Sequence, residues 1–196
     1  MYNPFLRCTA FAGPGRIASG ELRHVALKAK QAFDAGKPVL VFEDASGRVV
    51  ELPLELPAGE LMTRLAEPAA SAAPVAAKPP PPRGPGRPKL GVVAREVTLL
   101  PRHWDWLAAQ PGGASVALRK LVEDARKAAA DGDRRRVAQE AAHRFMQAMA
   151  GNEAGYEEAA RALFAGDIGS FEQHSAAWPD DVREHAALLA ADAFAH

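Results

Sequence analysis

The chain has 196 residues, of which 48% are apolar, and its 24 basic and 24 acidic side chains give a formal net charge of zero. This composition excludes a chain that is disordered throughout, and the length suits one or two small domains. We find no charged-then-apolar leader and no apolar run that could span a bilayer, and the single Cys8 cannot form an internal disulfide. We therefore expect a soluble, cytoplasmic protein without membrane contact.

The charge is distributed unevenly along the chain. Residues 1–82 carry nine basic and eight acidic side chains, residues 83–136 carry twelve and six, and residues 137–196 carry three and ten. A middle segment of net charge +6 is thus followed by an acidic end of net charge −7. The basic segment suits contact with DNA phosphates, whereas the acidic end would be repelled by them or would need another partner, such as a protein.

The first 66 residues predict a small α/β domain. Two short apolar runs, 8–13 and 38–43, are typical of strands, and the segment between them has apolar residues at helical spacing. A turn at 44–47 then leads into a further strand at 48–54, which forms a hairpin with the preceding one. The predicted order is β-α-β-β, followed by a short helix at 57–66.

No motif in the chain predicts catalysis or a cofactor. Residues 11–20 are rich in glycine but match neither a Walker nor a dinucleotide-binding spacing, so they favour a turn. Cys8 is interpreted as a small apolar strand residue. His143, His174 and His185 lack the three-to-five-residue spacing of a local metal site. We expect neither an enzyme nor a metal protein.

Residues 67–91 are dominated by Ala, Pro and Gly and end in KPPPPRGPGRPKLG. Such a composition cannot form a core, and consecutive prolines favour an extended polyproline II spacer. This segment is predicted to be a linker between the first domain and the rest of the chain.

Residues 92–130 predict a strand followed by two helices. The strand EVTLL is too short to stand alone, and its simplest partner is the same strand of a second copy, which predicts a homodimer. Pro101 suits the start of the first helix, Gly112 and Gly113 end it, and Ser115 is the expected N-cap of the second. The apolar residues repeat at helical spacing and predict a dimer core of Leu100, Trp104, Leu107, Leu118, Leu121 and Val122.

The segments REVTLLP and SVALRKLV, with the proline-started helix and the glycine break between them, resemble ribbon-helix-helix DNA-binding proteins. The resemblance implies that paired strands enter the major groove and that amides at the start of the second helix bind phosphate. By this resemblance, the side chains on one face of the strand contact the DNA bases, and which face this is depends on the strand phase. The residues at the start of the second helix contact phosphate. The groove candidates are Arg95, Val97 and Leu99, or else Glu96 and Thr98, and the phosphate candidates are Gly113, Ala114 and Ser115.

Immediately upstream, RGPGRPK at 83–89 is similar to an AT-hook, whose Gly-Arg-Pro core lies in the narrow minor groove of A·T-rich DNA. The resemblance assigns DNA contacts to Arg83, Arg87 and Lys89. Here Pro85 stands where the usual motif has an arginine, so a charged linker is the alternative.

Residues 131–196 predict an acidic helical bundle with breaks at 131–133, Gly151, Gly166 and Pro179. The run Arg134 to Arg136 suits either phosphate contact or a helix start. From TAFAG near the start to RFMQAMAGNE and ALFAGD near the end, the chain resembles the bacterial family called domain of unknown function 2239, which implies no activity.

Together these features predict an α+β protein with four parts, namely a domain at 1–66, a linker at 67–91, a dimerising module at 92–130 and a helical domain at 131–196. The expected function is that of a dimeric DNA-binding protein of the nucleoid, either a transcriptional regulator or a nucleoid-associated protein, with weak sequence specificity or a preference for A·T-rich DNA. The alternative is an adaptor, whose middle module only dimerises and whose terminal domains bind proteins.

Overall fold

The structure is a computed structural model that describes residues 6–66, 93 and 95–195. Its residues group into two compact units, one made of 1–70 with 131–196 and the other of 71–130. We call them the terminal unit and the middle unit. Mixed helices and one small sheet give the chain the predicted α+β character.

In chain order, the elements are β1 (Arg7–Ala12), β2 (Gly15–Glu21), α1 (Leu22–Asp34), β3 (Val39–Glu43), α2 (Ala58–Ala66), α3 (Pro101–Ala108), α4 (Gly113–Ala150), α5 (Tyr156–Ala165), α6 (Ile168–Ser175), α7 (Asp180–Ala190) and a final 3-10 turn at Ala191–Ala193.

The sheet of the terminal unit has the order β2-β1-β3, and both pairs are antiparallel. The β1–β2 hairpin turns at Gly13, whose φ of 59° lies in the left-handed region that glycine adopts without strain. The predicted β-α-β-β order was therefore wrong, because the glycine-rich stretch that was interpreted as a turn contains a turn and a whole strand. Strand β2 consists mainly of small and polar residues, so its sequence has no strong apolar pattern. Because β2 is partly exposed, it does not need an apolar pattern to form.

The predicted hairpin after β3 is also wrong. Residues 48–54 form no strand, and only Val49 makes an isolated bridge to Phe42. Backbone hydrogen bonds from Glu43 N–H to the Arg48 carbonyl and from Val50 N–H to the Val41 carbonyl tie this segment to β3. The segment LPLELP at 52–57, with prolines at 53 and 57, then turns the chain away from β3, since proline cannot donate to a strand ladder.

Helix α1 was predicted correctly and covers one side of the sheet. Its buried face comprises Leu22, Val25, Ala26 and Ala29, which pack with Cys8, Ala10 and Val41 of the sheet and with Leu61 and Leu65 of α2. The spacing of three and four residues places these side chains in one stripe. This is the first core of the terminal unit.

Four helices complete the terminal unit, and the predicted breaks at Gly151, Gly166 and Pro179 separate them. The predicted break at 131–133 is wrong, because α4 runs without interruption from Gly113 to Ala150. The arginines that follow pair with the acidic residues three positions earlier, Arg134 with Asp131 and Arg136 with Asp133. Pairs at this spacing stabilise a helix, so the charged run continues α4 rather than starting a new helix.

The second core joins the sheet to these helices. Phe11 of β1 and Phe42 of β3 lie in one buried cluster with Phe145 of α4, Leu163 of α5 and Val182 of α7. Segments 1–66 and 131–196, which the sequence assigned to separate domains, therefore share a core. Sequence patterns locate apolar faces but do not say which faces meet, since any two would gain similarly from burial.

A short loop between β3 and the following segment is fastened to α4. A Cβ added at Gly47, whose φ is +64°, would lie 2.0 Å from the carbonyl oxygen of Ala141. Next to it, the Arg144 guanidinium donates to the Ser46 carbonyl at 2.8 Å. Only glycine lets the two backbones approach this closely.

Candidate functional site

The middle unit contains the segment that sequence analysis marked as functional. Helix α3 begins at Pro101, as predicted, with Leu100 in an extended conformation before it. Gly112 and Gly113 have φ values of 85° and 73° and connect α3 to α4. Within the described part of this unit, Leu107 and Ala117 are the only buried apolar side chains. The helical hairpin thus has a very small core of its own.

Residues 95–100 form neither helix nor strand, so the predicted strand EVTLL is not formed in the single chain. Residues 95–98 and Leu100 are exposed, Leu99 is half-buried, and no backbone hydrogen bond pairs 95–99 with another described segment. The groove candidates of both phases, Arg95, Val97 and Leu99 or Glu96 and Thr98, lie here side by side. Their backbone donors and acceptors are open to a partner strand.

The predicted dimer core is largely exposed in the single chain. Trp104 is 40% exposed, Leu121 47% and Val122 64%, and Leu100 is likewise exposed, while Leu118 is half-buried. Only Leu107 is buried. These side chains extend over the end of the 95–100 segment, α3 and the start of α4.

Sequence analysis missed Trp106 in this surface. It is 52% exposed and lines a shallow depression together with Leu121 of α4. Trp106 lies off the helical stripe of Trp104 and Leu107, so periodicity gave no signal for it. The residue type was a signal, because tryptophan is enriched at protein interfaces. We call Leu100, Trp104, Trp106, Leu121 and Val122 the apolar surface of the middle unit.

The start of α4 differs from the prediction. The helix begins at Gly113, so Ser115 lies in its first turn and is not the N-cap. The Gly113 N–H donates to the Gln110 carbonyl at 2.9 Å, which makes this amide a poor phosphate donor. Ala114 and Ser115 remain as first-turn residues, whose amides have no helical acceptor of their own.

Several cations of the middle unit make no ion pair with any residue that the structure describes, namely Arg95, Arg102, Arg119 and Lys120. Lys120 and Asp124, four residues apart on α4, form no ion pair with each other. Glu123 pairs with Arg126 at 2.9 Å and with Lys127 at 3.9 Å. The hydrogen bond from Arg126 lowers the pKa of the exposed Glu123 carboxyl.

The remaining predicted DNA contacts lie elsewhere. Arg83, Arg87 and Lys89 of the AT-hook-like segment lie outside the described residues. The arginine run after residue 133 is in use within the terminal unit, since Arg134 and Arg136 are paired and Arg135 donates to the Ala195 carbonyl at 3.0 Å.

The terminal unit has a cleft of about 590 Å³ at the junction of the sheet with α4 and α7. Apolar side chains line its floor, and Val137 and Leu188 are each more than half exposed there. The rim has charges of both signs, from Arg7, Asp44, Asp133, Arg134 and Asp192. Concave apolar surfaces with polar rims are common binding sites.

Cys8 is a buried, free thiol of the terminal unit. Burial, with smaller effects from Asp44 and Glu43, raises the pKa of the Cys8 thiol to about 12, so Cys8 stays protonated. Across residues 6–66, 93 and 95–195, no three His, Cys, Asp or Glu side chains gather in a way that could hold a metal ion. In the same residues, no helix combines the length and apolarity needed to cross a membrane.

Comparison with known proteins identifies the family of the chain. No curated protein and no solved structure is similar to the chain. A family model matches residues 7–190, a range that includes the sheet, the middle unit and the helices up to the end of α7. A match over this much of the chain establishes membership, and the protein belongs to the family described as "Uncharacterized protein conserved in bacteria (DUF2239)".

Proposed function

We propose that this protein is a homodimeric DNA-binding protein, in which the middle unit makes the dimer and the basic residues in and before it contact DNA. The observation that carries the proposal is the apolar surface of the middle unit. Leu100, Trp104, Trp106, Leu121 and Val122 are all at least 40% exposed. Two exposed tryptophans, together with exposed leucine and valine side chains, are typical of a protein interface.

The energetics of the middle unit favour a partner. Burying Leu107 and Ala117 contributes roughly 2 to 4 kcal/mol, while fixing each residue of the helical hairpin costs about 1 kcal/mol or more in backbone entropy. The helix hydrogen bonds offset this entropic cost only in part. A second copy covering the two tryptophans would enlarge the core severalfold.

The backbone of 95–99 favours the same partner. A segment whose N–H and C=O groups lack partners can pair antiparallel with its own copy around a two-fold axis, and this pairing gives a two-stranded ribbon. Pro101 ends the ribbon and starts α3, so the pairing extends no further. This arrangement is the one implied by the resemblance to ribbon-helix-helix proteins.

Charge supports DNA as the ligand. Arg95, Arg102, Arg119 and Lys120 have no acidic partner among the described residues, whereas the arginines after residue 133 are used in the terminal unit. A ribbon would offer either Arg95 or Thr98 as a donor to a groove, depending on the strand phase, and the Ala114 and Ser115 amides would face phosphate. The segment 83–89 adds three cations as an arm for the minor groove.

The test is a gel-shift series with a random duplex and an A·T-rich duplex at several salt concentrations. Replacing Arg83, Arg87 and Lys89 together by Ala is expected to weaken binding and to reduce the slope of log affinity against log salt by about two to three per arm, and twice that for a dimer. The matched control replaces three exposed cations of the terminal unit, Lys28, Lys37 and Arg64, and leaves the slope nearly unchanged.

Equal slopes for the arm variant and the control would remove the arm from the DNA site. Failure of the unmutated protein to shift either duplex at low salt would overturn DNA binding altogether.

The adaptor function is the second candidate, and the cleft of the terminal unit favours it. Val137 and Leu188 would bind an apolar side chain of a partner protein, with Arg7 and Asp192 at the rim. A Leu188→Asp variant that loses a partner but keeps full DNA affinity would support this function alongside DNA binding.

A further inference from the structure

A buried histidine stands at the junction of the sheet and the helices. His185 of α7 is 1% exposed, and its Nε2 atom has no hydrogen-bond partner among the described residues. Most buried polar side-chain atoms have one, because leaving such an atom unpaired costs free energy. The neutral imidazole bears this cost, and an imidazolium would bear a much larger one.

Aromatic rings surround the imidazole. Its centroid lies 5.5 Å from that of Phe11 and 4.7 Å from that of Phe145, with both rings edge to face. Phe42 in turn packs against both phenylalanines, at 6.0 and 4.9 Å. We call Phe11, Phe42, Phe145 and His185 the aromatic junction, since they join β1 and β3 to α4 and α7.

Charged groups reach the imidazole from two other places. Arg16 of β2 lies near it and is paired with α7, through Glu184 at 3.2 Å and Asp181 at 3.9 Å. Asp44, just after β3, acts in the opposite direction. Burial has the largest effect and lowers the pKa of His185, Asp44 partly offsets it, and Arg16 lowers the pKa further. Strand β1 and helix α4 face the imidazole with the rings of Phe11 and Phe145.

We propose that His185 makes the docking of the sheet on α4 and α7 sensitive to mild acid, so that uptake of one proton opens the aromatic junction. The neutral imidazole fits the apolar cluster, whereas the cation would be buried without an acceptor at Nε2, a cost that Asp44 offsets only in part. When the junction opens, water hydrates the imidazolium. The same opening separates Arg16 from Asp181 and Glu184, and water then hydrates these charged side chains as well.

The direction of the pH dependence follows from linkage. The open state has the ordinary histidine pKa, about 6.5, and the closed state a lower one. Above pH 6.5 both states are neutral and the junction has its full stability. Below it the open state binds the proton first, so the closed-to-open ratio falls by up to about tenfold per pH unit until the closed state is protonated too.

The experiment is urea unfolding of the full chain at pH 7.5 and 5.5, followed by far-UV circular dichroism. His185→Phe removes the titrating group and keeps an aromatic ring in the cluster. The control His24→Gln removes an exposed histidine from α1 of the same unit. The unfolding equilibrium constant of the wild type and of the control is expected to rise up to about tenfold more than that of His185→Phe between the two pH values.

A second measurement needs no variant at this position. Hydrogen exchange of the β1 and β3 amides in the wild type, corrected for intrinsic rates, is expected to accelerate relative to the α1 amides as pH falls below 6.5. If His185→Phe is as acid-sensitive as the control, the proposal is wrong. It is equally wrong if imidazole NMR signals show His185 titrating near 6.5 while the β1 and β3 amides stay protected.

Discussion

Gly47→Ala tests how tightly the loop after β3 is fastened to α4. The added methyl group would lie 2.0 Å from the Ala141 carbonyl oxygen and 2.7 Å from its carbonyl carbon. Both neighbours are backbone atoms in the middle of a long helix, so they cannot rotate away. The loop must lift from α4 by more than 1 Å, roughly the shortfall from an ordinary van der Waals contact.

The expected loss combines two effects. A φ of +64° costs an alanine about 1 to 2 kcal/mol, partly offset by about 0.4 to 1 kcal/mol because the unfolded alanine chain is less free. Lifting the loop costs about 1 to 3 kcal/mol in packing and also weakens the charged hydrogen bond from Arg144 to Ser46. We expect Gly47→Ala to lower the free energy of unfolding by about 3 to 5 kcal/mol.

Two matched controls separate these effects. Gly13 and Gly36 have φ values of +59° and +75°, and an added Cβ would meet no atom within 4 Å at either position. Gly13→Ala and Gly36→Ala therefore carry the conformational cost without the clash, and each is expected to cost about 1 kcal/mol. Urea unfolding monitored by circular dichroism measures all three. Equal losses at Gly47 and Gly13 would show that the loop does not touch α4.

Three further predictions concern the middle unit and Cys8. Thr98→Pro, which removes a ladder donor, is expected to give a monomer and to unfold much of 92–130, and light scattering that still finds a dimer would exclude the ribbon as the interface. Trp104→Ala is expected to lower the free energy of unfolding by about 3 to 5 kcal/mol at dimer-forming concentrations, because the ring would lie in the dimer core. A loss below about 1 kcal/mol, measured by chemical denaturation, would place the ring on the free surface. Since the pKa of Cys8 is about 12, its reaction with a disulfide reagent at pH 8 is expected to be about a thousandfold slower in the native than in the urea-unfolded protein, and a fast native reaction would contradict its burial.

The N-terminal sheet shows both agreement and disagreement between the apolar pattern of the sequence and the strands that form. Helix α1 and strands β1 and β3 have strong apolar patterns, and each was predicted. Strand β2 consists of small and polar residues around glycines, and it forms because β1 offers it a hairpin partner. Conversely, residues 48–54 are apolar enough for a strand, yet they turn away after the single bridge at Val49.

At the candidate site, sequence analysis found the proline-started helix, the glycine connection and the apolar positions that remain exposed in the single chain. It misplaced the start of α4 by three residues and missed Trp106. An error of this size arises easily there, because Gly112 and Gly113 adopt the left-handed backbone of a connection while Gly113 is already counted in the helix. Helical periodicity identifies apolar side chains that share one stripe, so it does not identify a side chain such as Trp106 that lies beside the stripe.

The sequence by itself determined the local features of this protein, namely helix faces, turns and the uneven charge, because each depends on residues near one another in the chain. The tertiary structure alone decided that segments 1–66 and 131–196 share a core. That union depends on Phe11 and Phe42 meeting Phe145 and His185 across more than one hundred residues of chain. Apolar burial has no direction, so the sequence marks which side chains leave water, and only their packing decides which of them meet.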